Sequence, residues 1–190
     1  MNLTAMTATA DLRLRLDDFI IEMMRTRQER LTLTLLERML SQLAFREEDL
    51  QDHIRFSSRG YTRNLICRTP RFELLLIGWK PGDFTPIHDH AGSLNLVRVH
   101  RGILSSREFE VVSSGRPLRT AIRLKSERDL GSGEIASVTE VGIHQLANTS
   151  RRNLLTIHLY SPPLREMTVY DPRTGKARQR QLPSLLRNPF

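Results

Sequence analysis

From Gly60 onward the chain is cut into short apolar runs by turn residues, and this spacing narrows the possible folds more than any other feature. The runs are Phe72–Trp79, Leu94–Val99, Leu104–Val112, Ile135–Val138 and Leu154–Tyr160, rich in Leu, Ile, Val, Phe and Thr. Between them fall Pro81–Gly82, Arg101–Gly102, Ser113–Gly115, Gly131–Gly133 and Pro162–Pro163. Gly and Pro break helices and set turns, so each run reads as a strand. Many short strands at this spacing predict an antiparallel sandwich or barrel.

Upstream the period changes. Leu12, Leu14, Leu16, Phe19, Ile20, Met23 and Met24 recur at helical steps with charged residues between them, and Leu33, Leu35, Leu36, Met39, Leu40 and Leu43 repeat the pattern. A shorter segment opens at Glu47–Glu48 and carries Leu50, His53 and Ile54. No Pro or Gly interrupts this region before Gly60. The chain therefore divides into helices packed on the rest (1–56), a β-barrel domain (57–175) and a basic tail (176–190) with a short element near Leu185. The fold class is mainly β with N-terminal helices, α+β.

At 190 residues the chain can bury a core without staples, and no apolar run reaches membrane-spanning length. Cys67 is the lone cysteine, which excludes an intrachain disulfide and a cysteine-rich zinc site. Met1–Asp11 has no basic segment followed by an apolar one, so no secretory signal is read and a cytoplasmic location is expected. A net charge of +8 raises the question of nucleic acid. However, the basic residues, nearly all Arg, are scattered, and aromatics make up only 6% of the chain. Binders of single strands interleave clustered charge with stacking rings. A solvated surface explains the arginines better, and no nucleic-acid or membrane partner is expected.

Five of the six histidines lie in the β region, and four of them, His88, His90, His144 and His158, fall in informative settings. On an extended segment residues i and i+2 share a face. His88 and His90, in Gly82-Asp83-Phe84-Thr85-Pro86-Ile87-His88-Asp89-His90, can therefore converge on one ion. A third imidazole, His144, can face them from a distant strand. An H-x-H pair alone also arises among ordinary core or surface histidines. The surroundings add weight: Gly82-x5-His88-x-His90-x4-Asn95-x6-Gly102 follows the first signature of the cupin barrels except that Asn95 replaces its Glu, and His144-x3-Asn148 resembles the second. Three neutral imidazoles without the carboxylate leave a divalent ion its full charge and open positions, which suits an anionic substrate. Imidazole suits Fe, Zn, Cu and Ni alike. Thr156, His158 and Tyr160 alternate with Ile157 and Leu159. That polar face fits an inward hydroxyl–imidazole–phenol row or a solvated outer surface.

Taken together the motifs resemble the cysteine dioxygenase family, the non-haem iron thiol dioxygenases of the cupin superfamily. The matching stretches are Tyr61-Thr62-Arg63-Asn64-Leu65, Trp79 to Gly102, Gly142-Ile143-His144 with Asn148, His158-Leu159-Tyr160-Ser161-Pro162-Pro163, and Tyr170-Asp171-Pro172-Arg173-Thr174-Gly175. The resemblance implies a cupin-type antiparallel β-barrel (jelly roll). It implies Fe(II) on His88, His90 and His144, and Arg63 pairing with the substrate carboxylate. It places Tyr160, His158 and Thr156 as catalytic residues, with Tyr61 and Asn95 beside the substrate. The implied reaction oxidises L-cysteine with O2 to cysteine sulfinate, in a protein expected to be a monomer. The alternatives are another small thiol such as 3-mercaptopropionate, or a non-catalytic metal-binding cupin sensor. Relatives that handle 3-mercaptopropionate lack the arginine. In the animal enzymes the Asn95 position is a cysteine joined to the active-site tyrosine; Asn95 has no sulfur, so that thioether cannot form here.

Overall fold

A computed structural model of the chain describes residues 13–45, 47–112 and 120–182. The leader-free reading of Met1–Asp11, the turn at Ser113–Gly115 and the element near Leu185 lie outside them.

The helices are α1 (Leu16–Arg25), α2 (Leu33–Gln42) and α3 (Glu47–Gln51). Helical spacing puts Phe19 and Met23 of α1, and Leu36, Met39 and Leu40 of α2, on one face each, and these are the residues that bury. Asp17 and Asp18 occupy the first turn of α1 and Arg25 the last, the signs the helix dipole favours. Thr32 caps α2 by accepting the Leu35 N–H. The apolar pattern overreaches at its edges. Leu14 is not helical but bridges to Leu43, its N–H on the Gln42 carbonyl and its own carbonyl taking the Ala44 N–H. His53 and Ile54 follow the end of α3.

The strands are β1 (Thr62–Arg68), β2 (Glu73–Trp79), β3 (Ile87–His88), β4 (Leu94–Arg101), β5 (Leu104–Val112), β6 (Ala121–Leu130), β7 (Ile135–Val138), β8 (Ile143–Ala147), β9 (Leu154–Ser161), β10 (Glu166–Asp171) and β11 (Lys176–Gln181). They form two antiparallel sheets, one ordered β1-β2-β9-β4-β7 and the other β11-β10-β3-β8-β5-β6. The expected jelly roll is present as two sheets with a shared interior, not as one closed ring of hydrogen bonds. The stretch read as a basic tail begins with β11, which pairs with β10 along its whole length. Its sequence, KARQRQ, is polar and exposed because it lies at a sheet edge, so it carries no apolar signal.

Strands β2 and β9 are buried throughout, and their alternation sorts the core in two. Leu74 and Leu76 of β2, with Leu155, Ile157 and Leu159 of β9, pack against the helices. Leu75, Ile77 and Trp79, with Leu154 and Tyr160, join Leu104, Leu130 and Leu146 between the sheets. The five-stranded sheet thus has helices on one face and the interior on the other. Arg98 of β4 ties the layers: its guanidinium donates to the Leu40 and Leu43 carbonyls at the end of α2. A cation there meets the negative end of the helix dipole. Gly82 and Gly102, the glycines that bound the first histidine motif, sit at φ +85° and +107°. Side chains with a Cβ rarely adopt that backbone, so both turns require glycine.

Candidate metal centre

The six-stranded sheet supplies two of the three imidazoles, and the segment just after β3 supplies the third. His88 on β3 stands directly opposite His144 on β8, and His90 follows two residues after His88. One ring nitrogen from each lies within 4.8 Å of the others. All three are buried. Among the described residues this is the one cluster of His, Cys, Asp or Glu able to surround an ion.

Hydrogen bonding shows which atoms are available. Nδ1 of His88 lies 2.9 Å from the Pro86 carbonyl. A carbonyl only accepts, so Nδ1 carries the proton and Nε2 keeps its lone pair. Both ring nitrogens of His90 and Nδ1 of His144 are buried without a protein partner. Native structures rarely leave such atoms unsatisfied unless a ligand takes them. Burial, reinforced by the neighbouring imidazoles, pushes His90 and His144 well below the usual histidine range, and burial lowers His88 despite its Pro86 bond. Neutral, close imidazoles, each with a free ring nitrogen, fit a divalent metal ion.

The five-stranded sheet faces them with polar groups. Thr156, His158 and Tyr160 of β9 are buried on the interior side, which resolves the ambiguity of their alternation. The Trp79 indole donates to Thr156 Oγ1 at 2.8 Å, and Thr156 Oγ1 lies 2.9 Å from His158 Nε2. Indole can only donate, so Thr156 Oγ1 accepts from Trp79 and keeps its own O–H free to donate to Nε2. On the other side of the ring, His158 Nδ1 lies 3.4 Å from the Tyr160 hydroxyl. Burial, then the Arg63 charge, lowers His158 to about 3, so the ring is neutral at physiological pH. Burial raises the Tyr160 phenol against the pull of Arg63, so it stays protonated.

Arg63 on β1 lies over the Tyr160 ring at 6.0 Å and lines the same cleft as His88, His144 and His158. Its Nη2 reaches Glu73 Oε1 at 3.4 Å, while its Nε is buried without a partner. Tyr61 also lines the cleft, stacked on Trp79 at 4.9 Å. Asn95 of β4 stands opposite Tyr160, fully buried, with both amide atoms unpartnered. Asn148 sits elsewhere: it bonds the Trp79 and Arg152 carbonyls and holds a turn.

Two groups escaped the sequence reading. Glu73 is a wholly buried carboxylate bound by both Arg63 and Arg68. A charge inside the apolar run Phe72–Trp79 was its signal. Asp89, between the two histidines, accepts from the Thr168 N–H and the Tyr170 hydroxyl, each at 2.8 Å. It thereby fastens the His88–His90 segment to β10.

The family model for cysteine dioxygenase type I matches residues 6–173. The chain belongs to that family. Curated relatives named cysteine dioxygenase type 1 include the Danio rerio protein, 28% identical over 131 residues, covering 67% of this chain and 64% of the relative. The Rattus norvegicus protein is 31% identical over 126 residues, covering 65% and 62% respectively. The match therefore spans a little under two thirds of the cysteine dioxygenases it resembles. Among solved structures, a Klebsiella pneumoniae protein with a double-stranded β-helix domain superposes with a TM-score of 0.47 at 15% identity, covering 71% of this chain and 95% of that one. A Thermus thermophilus protein gives 0.47 at 18% identity, covering 60% and 94%.

Proposed function

We propose that the chain is a thiol dioxygenase that oxidises L-cysteine with O2 to cysteine sulfinate, with Fe(II) held by His88, His90 and His144. The observation that carries this reading is the buried cluster of three neutral imidazoles, each with a free ring nitrogen, gathered beside the cleft that a guanidinium and a phenol of the other sheet line. A ferrous ion bound there supplies the redox chemistry and favours the thiolate form of a coordinated thiol.

The chain's own residues do the rest. Arg63 binds the substrate carboxylate through its planar fork, using the Nε–H that has no protein partner. Tyr160, its hydroxyl beside His158 Nδ1, offers its O–H to substrate or oxygen. His158 and Thr156, anchored by Trp79, hold that phenol in place. Tyr61 stiffens the wall by stacking on Trp79. Asn95 offers a donor and an acceptor to the polar end of the substrate. A cytoplasmic monomer acting on a small thiol, without nucleic-acid or membrane partners, completes the reading.

The test is anaerobic iron loading followed by oxygen uptake with L-cysteine, 3-mercaptopropionate and cysteamine. Cysteine should be oxidised fastest, with one O2 consumed per sulfinate formed. Faster turnover of 3-mercaptopropionate would reassign the substrate, and no thiol-dependent uptake would favour a metal-binding sensor. In Tyr160→Phe, kcat should fall about 100-fold or more, the usual contribution of a positioned proton donor, with KM for cysteine nearly unchanged. A wild-type rate in that variant removes the phenol from the chemistry.

A further inference from the structure

Glu73 opens β2 and stands opposite Tyr160 on β9 and opposite Arg68 on β1. Side chains alternate along a strand, so residues 63 and 68 should lie on opposite faces. A register shift between Leu65 and Cys67 changes the parity and brings Arg68 to the interior side with Arg63. Both arginines then meet one carboxylate that has no exposure to solvent.

The two contacts are unequal. Arg68 places Nε at 3.0 Å and Nη2 at 2.6 Å on Glu73 Oε2. Arg63 makes a single contact, Nη2 to Oε1, at 3.4 Å, and leaves its buried Nε unpaired. Two cations and one anion leave one positive charge, and it rests on the more loosely tied guanidinium, the one that lines the cleft. A buried carboxylate left charged without a counter-ion is strongly destabilising. Without Arg68, Arg63 would have to serve, and Glu73 would compete directly with any incoming carboxylate.

We propose that Glu73 and Arg68 determine specificity by setting the charge that Arg63 offers, so that the cleft is matched to a substrate carrying a single carboxylate. Arg68 neutralises Glu73; Glu73 in turn orients Arg63 and cancels the second cation. This rests on the proposed role of Arg63 and adds two residues to it.

The test is anaerobic calorimetry of the iron-loaded protein with L-cysteine, 3-mercaptopropionate and cysteamine, the last of which has no carboxylate. Arg68→Gln should weaken both carboxylate thiols about tenfold, as expected for a truncated charge network, while cysteamine changes less than about twofold. Adding Glu73→Gln removes the competitor and should restore both carboxylate thiols to within about threefold of wild type. Equal losses for all three thiols, no loss at all, or a double variant as weak as the single would overturn the proposal. If Arg68→Gln does not fold, Glu73→Gln alone decides: with two cations and no anion, carboxylate thiols should bind at least about threefold tighter and cysteamine weaker. Unchanged binding there would also overturn it. A wild-type protein that binds cysteine no better than cysteamine would defeat the role of Arg63 itself. Wild-type discrimination that survives in Arg68→Gln defeats only the role of Arg68 and Glu73.

Discussion

His90→Ala should leave a folded protein that no longer retains iron. The side chain is fully buried and neither ring nitrogen has a protein partner, so truncation breaks no hydrogen bond. It also removes two unsatisfied polar atoms from the interior, which offsets part of the lost packing. The metal-free variant should therefore melt within a few degrees of metal-free wild type. The difference should appear on adding Fe(II) anaerobically. A ligand that binds only the folded state stabilises it by about 2.7 kcal/mol at a concentration a hundredfold above its Kd. Wild type should show that rise in Tm; the variant should not. Iron retained after gel filtration should fall at least about tenfold, since even residues that merely support ligands change metal affinity by 10- to 100-fold. Full iron loading in His90→Ala would break the proposed ligand set.

Arg63→Ala should produce the largest change in substrate binding, and a selective one. Loss of one partner of a buried charged hydrogen-bond pair costs about 3 kcal/mol, roughly a hundredfold in affinity. KM for cysteine should rise by that order, and KM for 3-mercaptopropionate should follow because it shares the carboxylate. Cysteamine should be affected less than about threefold. The variant should remain folded, because Arg68 still provides Glu73 with two N–H donors. Similar losses for cysteine and cysteamine would mean that the guanidinium shapes the cleft without reading the acid group.

Much of this arrangement was legible in the chain. Turn residues and apolar runs located β2, β4, β5, β7 and β9 because those strands pack on the core. Strands β6 and β11 left no such trace: RLKSERD of β6 and KARQRQ of β11 sit at exposed sheet edges, where side chains answer to water. The two-residue β3 is too short to show a period at all; only its histidine announced it. Periodicity also misled at Leu14, where apolar spacing serves a β-bridge instead of a helical face.

The site divided in the same way. His88 and His90 share a motif, and His144 stands in a signature of its own, so local spacing pointed to all three. The direction in which Thr156, His158 and Tyr160 face was undetermined, because alternation is symmetric. Packing decided it: Leu155, Ile157 and Leu159 meet the helices, which turns the polar row inward. The Glu73–Arg68 pairing depends on a single register shift in β1, and no pattern in the residues marks where a strand bulges. The tie from Asp89 to Tyr170 likewise joins residues far apart in sequence.

The most direct test of the account is a crystal structure of the iron-loaded protein soaked anaerobically with L-cysteine. It should show one iron atom bound by nitrogens of His88, His90 and His144, the cysteine sulfur on that iron, and the carboxylate within hydrogen-bonding distance of Arg63. Iron bound elsewhere, or a cysteine whose carboxylate lies away from Arg63 while the guanidinium stays on Glu73, would contradict it.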